Sequence, residues 1–253
     1  SKKLVLKIEN ETDYKTADNI GSLKISFKNK NNLFNYQINK NSMDIFLNDT
    51  NKTFKGSVEF KPFYLTSNLN YQTFRIKDLL YNPFFIEILR SQILNNKNLN
   101  ALINFNVKNV YDFDRFSNLS LRLKIEEGDY NFSNSNIVWK ENVKIFFSDA
   151  FLNFNKEKIN LNGRTSLDVK NKDKFYKFFQ IKKELRKNIE KIELDFNYDF
   201  NEEKITLDNL RIDNKSNKKI EEIISNFNVS SKKFLNKITF KNLVNDILIA
   251  YFG

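Results

Sequence analysis

Three adjacent carboxylate pairs, Glu126 with Glu127, Glu202 with Glu203 and Glu221 with Glu222, are the side chains whose type best suits acid–base work. Such chemistry needs two carboxyl groups facing each other across one bond. Neighbours on a strand or a helix point apart, so each pair reads as turn or surface charge. What is missing narrows the chemistry further. With no histidine and no cysteine in 253 residues, the Ser/His/Asp and Cys/His forms of nucleophilic catalysis are unavailable, as are the usual zinc and transition-metal ligands. Walker, GxGxxG, GxSxG and acidic calcium-loop motifs are also absent. Only carboxylate or lysine chemistry is left open, with no motif for it, and no cofactor or metal is expected.

The remaining polar constellation is basic. Lys182, Lys183, Arg186 and Lys187, within KKELRK, form the best candidate for contact with an anion or a phosphate headgroup. Phe178 and Phe179 flank it, but they belong to an apolar stripe, so core packing explains them more simply than base stacking. The net charge of +11 comes from lysines scattered through turns and the outward parity of strands. That is a solvated basic surface, not a nucleic-acid tract.

The elements that position these residues are mostly strands. In IEKIELDFNYDF, Ile192, Leu194, Phe196, Tyr198 and Phe200 share one parity, and Glu193, Asp195, Asn197 and Asp199 share the other. This is the period of a strand with one apolar face. The same alternation predicts strands over Leu4 to Ile8, Leu23 to Phe27, Phe34 to Ile38, Val58 to Phe60, Ile103 to Val107, Leu119 to Ile125 and Val143 to Phe147. It continues through Leu152 and Phe154, Ile159 and Leu161, Thr165 to Val169, Ile192 to Phe200 and Ile205 to Ile212. Starts roughly 8 to 15 residues apart are meander spacing. Five Gly and two Pro are few for so many turns, and asparagine takes their place at Asn29 to Asn32, Asn48 to Lys52 and Asn214 to Asn217.

Helical spacing predicts four helices. The first has Asn82 as N-cap and Pro83 at its first position, and runs to about Asn95. A second is capped by Asp173, with Phe175, Phe178, Ile181 and Leu185 as its stripe. A third carries Ile220, Ile223, Ile224 and Phe227, and the last runs from about Asn242 to Tyr251. The organisation expected is one elongated domain over 1–253: a β part at 1–75, a helix at 76–97, a β meander at 98–170, a helix at 173–188, a β hairpin at 189–213 and C-terminal helices at 217–253. A long apolar sheet face with little helix to cover it must close into a barrel, pair into a sandwich or curl around apolar cargo.

The order of motifs resembles the C-terminal region of AsmA-like proteins. The resemblance rests on FKGSVEFKPFYLTSNLN (Phe54 to Asn70), IKDLL, ILNNKNLNALINFNVKNV (Ile93 to Val110) and FSNLSLRLKIEEGDYNFSNSNIVWKENVKIFFSDAFL (Phe116 to Leu152). It spans about Gly21 to Ile212. The YKFFQIKKELRKNIEKIELDFNYDF block is similar to the version carried by small AT-rich marine alphaproteobacteria.

The resemblance implies a mainly β fold with a few helices: a long curved antiparallel β-sheet, a β-groove or open half-barrel, capped by amphipathic helices. It also implies a non-enzymatic Gram-negative envelope protein in the periplasm, anchored to the inner membrane. Such a protein binds or conducts phospholipid acyl chains between inner and outer membranes and serves outer-membrane homeostasis. The inward residues expected to touch lipid are Leu119, Leu121, Leu123, Ile125, Phe132, Val143, Ile145, Phe147, Ile192, Leu194 and Phe196. An envelope assembly factor that pairs with client proteins through exposed sheet edges is the alternative. The chain starts with Ser and enters an apolar strand at once, which reads as a segment of a longer protein with its anchor upstream.

Overall fold

The computed structural model describes residues 5–13, 15, 18–27, 30–75, 96–111, 116–139, 141–155, 158–230 and 237–252. Fourteen strands form one curved sheet, ordered across it as they are ordered in the chain. They are β1 (Val5–Asp13), β2 (Asp18–Phe27), β3 (Lys30–Ile38), β4 (Ser42–Asn48), β5 (Lys52–Phe60), β6 (Phe63–Phe74), β7 (Asn100–Val110) and β8 (Phe116–Glu126), then β9 (Asp129–Asn131), β10 (Ser135–Trp139), β11 (Val143–Asn155), β12 (Lys158–Val169), β13 (Lys191–Asp199) and β14 (Lys204–Ile212). Short β9 and β10 share one lane, each pairing with both β8 and β11. Three helices, α1 (Lys172–Phe179), α2 (Lys218–Ser230) and α3 (Lys237–Phe252), lie at the C-terminal end of the sheet.

The expected antiparallel pairing holds for every pair of neighbours but one. β6 and β7 run parallel, with Tyr64 opposite Asn100 and Phe74 opposite Val110. A hairpin cannot return a chain in its own direction, so parallel neighbours require a crossover connection, here between Phe74 and Asn100. The helix expected around Pro83 falls in that connection and lies outside the described residues.

Register carries the alternation across the whole sheet, because residues paired on neighbouring strands point the same way. Ile192, Leu194, Phe196 and Tyr198 of β13 pair with Leu167, Thr165, Gly163 and Leu161 of β12. That row continues through Ile145, Phe147 and Leu152 of β11. Beyond β8 it passes through Ala101, Ile103, Phe105 and Val107 of β7, then Leu65, Leu69 and Tyr71 of β6. Val58 and Phe54, Met43 and Ile45, Tyr36 and Ile38, and Leu23 bring it to Ile8 and Leu6 on β1. One face is thus apolar from end to end.

This face is the inner one. Strands two lanes apart are separated by roughly 9.6 Å, yet the rings of Phe34 on β3 and Phe54 on β5 approach to 5.8 Å, and those of Phe147 on β11 and Phe196 on β13 to 5.9 Å. The Tyr36 hydroxyl on β3 reaches over β2 and donates to Asn10 Oδ1 on β1 at 3.0 Å. Crossings of this kind need room in the lane between. Gly21 and Gly163 provide it: a Cβ at Gly21 would stand 2.3 Å from the Glu9 carbonyl oxygen, and one at Gly163 would stand 2.8 Å from Ala150 Cα. The register shift between Ser148 and Phe151 falls beside Gly163, so β11 and β12 bend together there.

The outer face is polar and partly cross-linked by asparagine. Asn70 Nδ2 donates to Thr53 Oγ1 at 3.2 Å, Asn106 Nδ2 donates to Asn70 Oδ1 at 3.0 Å, and the Ser120 hydroxyl donates to Asn106 Oδ1 at 2.9 Å. These bonds make one row over β5 to β8.

The main core lies where the helices cover one end of the inner face of β10 to β14. Trp139, Val143, Val169, Ile192 and Ile212 are buried there with Phe175, Phe179, Ile220, Ile224, Leu243 and Leu248 from the helices. The Trp139 ring sits 4.7 Å from Phe178 and 5.7 Å from Phe179.

The second predicted helix is half as long as expected. Asn171, not Asp173, is its N-cap, accepting from the Lys174 N–H at 3.0 Å. It ends at Gln180, whose φ of 57° is left-handed, and the Ile181 N–H closes onto the Tyr176 carbonyl at 3.0 Å. Ile181 is buried by that turn, and Leu185 then packs from a short 3₁₀ turn over Lys183–Leu185. The apolar stripe is real but is carried by two different backbone conformations.

Candidate functional site

On β1 through β6 the inner face is half-buried to exposed, apart from Tyr36, Leu47, Gly56 and Ser67, among the described residues. Its floor is built by Leu6, Ile8, Leu23, Ile25, Phe34, Ile45, Val58, Leu65 and Leu69, all brought to one side by the register above. None of the buried cluster beneath the helices comes from these strands. Tyr36 and Leu47 are the only buried apolar side chains among the described residues of β1 to β5. Leu6 and Ile8 remain 57% and 66% exposed, and Phe60 and Phe63 at the β5–β6 turn are also exposed. The walls offer shape and apolar contact, with little charge: Lys52, whose ammonium donates to Asn32 Oδ1, marks one end, and Asn10, Thr12 and Asn19 mark the other.

The residues selected from the sequence for lipid contact all belong to the other half. Ten of the eleven lie on the inner face of β8, β11 and β13, and Phe132 lies between β9 and β10. Leu119, Ile125, Val143 and Ile192 are buried, with Val143 at 0% exposure under the helices. A side chain with no free surface has nothing to offer a ligand, so these four are core. Leu121, Leu123, Phe132, Ile145, Phe147, Leu194 and Phe196 are half-buried at the margins of the three apolar clusters. The floor of β1 to β6 carries the same alternation, and what singles it out is that no helix covers it among the described residues, which strand pattern does not encode.

Arg186 donates from Nε and Nη2 to the Ile181 carbonyl at 2.9 and 2.8 Å. Lys187 Nζ donates to the Phe252 carbonyl at 2.8 Å, closing the C-terminal turn of α3, where a cation also suits the helix dipole. Lys182 and Lys183 are exposed on the 3₁₀ turn. Two of the four cations thus hold backbone carbonyls.

The carboxylate pairs occupy turns and an exposed helix face. Glu126 and Glu127 end β8, Glu202 and Glu203 form the β13–β14 turn, and Glu221 and Glu222 are exposed on α2. No group of three or more acidic side chains able to hold a metal ion occurs among the described residues. Shifted titrations are structural. Burial pushes the Tyr130 hydroxyl up to about 12. Partial burial would raise Asp195, but hydrogen bonds from Asn209 at 2.8 Å and Arg164 at 2.9 Å outweigh it and hold that carboxyl below its ordinary range. Among the described residues no helix is long and apolar enough to cross a membrane. Compared with protein-family models, with curated proteins and with solved structures, the chain finds no match.

Proposed function

We propose that this chain is a non-enzymatic, AsmA-type envelope domain that holds phospholipid acyl chains along the inner face of its sheet. The reading places it in the periplasm, between an inner-membrane anchor and the outer membrane. The single observation that carries it is the apolar inner face of β1 to β6, which no helix covers among the described residues and which is continuous in register with the inner face of β7 to β14. An acyl chain laid on such a floor gains roughly 0.8 kcal/mol per methylene withdrawn from water, and needs no directed hydrogen bond. The polar outer face keeps the sheet wetted while the inner face is occupied. Headgroup contact falls to the rim and not to a built anion site.

The test is crosslinking to a photoreactive phospholipid. Ile45→Asp and Leu69→Asp, both on half-buried floor positions, should each cut the yield severalfold while the circular dichroism of the folded sheet is kept. Folded variants that crosslink as well as the native chain would refute the lipid reading. The scaffold alternative rests on exposed sheet edges, and β1 pairs with no described strand on its other side. It predicts that organic extraction of the purified protein yields no phospholipid and that an outer-membrane client binds with the floor variants unimpaired.

A further inference from the structure

Register sorts the inner face of β1 to β6 into rows that run across the strands. One row is apolar throughout: Leu23 pairs with Phe34, Leu47 with Phe54, Phe54 with Leu69, and Leu69 with Phe105 of β7. Phe34 and Phe54 close it over the lane of β4, their rings 5.8 Å apart. From β2 to β7 the row crosses five strand spacings, about 24 Å, which gives one acyl chain room to lie across the strands. The neighbouring row holds Ile25 opposite Asn32 and Lys52 opposite Tyr71. Lys52 stands two residues before Phe54 on β5, so its aliphatic stem flanks the apolar row.

Charge on these strands is sorted by face. Glu9, Lys24, Asp44, Lys55 and Glu59 all fall on the outer parity. On the inner parity Lys52 is the one charged side chain among those described. It is half-buried, and its ammonium donates to Asn32 Oδ1, an amide oxygen that supplies a partner but no countercharge. Two of its three donors are left over. The polar group at the opposite end of the face is neutral and satisfies itself: the Thr12 hydroxyl donates to Asn19 Oδ1 at 2.6 Å, Asn10 Nδ2 donates to the same oxygen at 3.3 Å, and the Tyr36 hydroxyl donates to Asn10 Oδ1 at 3.0 Å.

We propose that Lys52 binds the anionic oxygen group of an amphiphile, the phosphate of a phospholipid or the carboxylate of a fatty acid, whose acyl chain lies along the row through Phe54. This rests on the acyl-chain reading above and adds a headgroup class to it. An ammonium partly withdrawn from water pairs more strongly with an oxyanion than one in bulk solvent. A hydroxyl head gains none of that charge pairing.

Displacement of an uncharged fluorescent acyl probe from the full chain tests this, with dioleoylphosphatidylglycerol, oleate and dioleoylglycerol as competitors in uncharged mixed micelles. The native chain should bind at least one of the two anionic ligands about tenfold more tightly than dioleoylglycerol, and the tighter of the two identifies the group as phosphate or carboxylate. Lys52→Gln should bring that ligand down to the affinity of dioleoylglycerol, Lys52→Glu should weaken it further, and Lys52→Arg should keep the preference. Dioleoylglycerol should bind all four proteins equally, which shows fold and floor intact. Equal native affinity for the three ligands, a preference that survives in Lys52→Gln, or loss of all three ligands together in that variant would overturn the headgroup assignment and leave the acyl-chain reading standing. A native chain that binds none of the three would overturn both.

Discussion

The two halves of the sheet share one sequence pattern and one inner face, yet differ in what lies over that face. On β10 to β14, three helices bury Val143, Ile192 and Ile212 as deeply as any interior. On β1 to β5 only the apolar side chains of Tyr36 and Leu47 are buried among the described residues, and Ile8 remains two-thirds exposed. Alternation makes a face apolar, but a second layer decides whether that face becomes core or surface. The lesson for function is that the half with the weaker core has the surface to offer.

Substitutions placed symmetrically should separate the halves. The largest effect is expected under the helices, where Val143→Asp would bury an unpaired carboxyl and cost more than about 4 kcal/mol, enough to unfold the helix-covered end. Ile8→Asp on the open half should move stability by less than about 0.5 kcal/mol. Urea denaturation of both checks the contrast, and similar losses would break it. The glycines sharpen it next. Gly163→Ala forces a Cβ against the Ala150 backbone and should cost about 1–3 kcal/mol, whereas Gly56→Ala meets the end of the Phe54 ring at 2.7 Å, which can swing aside, and should cost under about 1 kcal/mol.

The β14 edge comes third. Asn228→Ala leaves the Leu207 N–H and carbonyl without their partner and should cost about 1–3 kcal/mol, with faster hydrogen exchange at the Leu207 amide. Unchanged exchange there would mean that α2 covers the edge without its amide. The smallest effect concerns pH. Asp195 has its carboxyl pKa lowered in the folded state, so its contribution is fully present above the unfolded value and is lost as pH falls through the folded one. Asp195→Asn should therefore flatten the acid limb of the stability profile slightly, and a profile identical to the native one would remove Asp195 from the account.

Much of the sheet was legible in sequence because its strands alternate cleanly, as IEKIELDFNYDF does in β13. β4, β6 and β10 were hidden for local reasons. Phe46 puts an aromatic on the outer parity of β4, Ser67 interrupts the inner parity of β6, and Ile137, Val138 and Trp139 make β10 apolar on both sides. The helix after Asn171 was overextended because Phe175, Phe178, Ile181 and Leu185 keep helical spacing through a left-handed Gln180, a residue that does not announce such a cap. Sequence shows that Arg186 and Lys187 are cations, but not that the carbonyls of Ile181 and Phe252 stand within their reach. Asparagine had a second role beyond turns, in the outer row from Thr53 to Ser120, and that role needs register to be seen. The lipid-contact set lies on long alternating runs, in which Leu119, Ile125, Val143 and Ile192 are buried.

Mapping where a photoreactive phospholipid attaches tests the central claim most directly. After irradiation and peptide mass spectrometry of the native chain, adducts should concentrate on inner-face residues of β1 to β6, such as Leu23, Ile45 and Leu69, and should spare Val143, Ile192 and the outer-face residues Leu33 and Phe46. Adducts spread equally over both faces, or confined to β10 to β14, would contradict it.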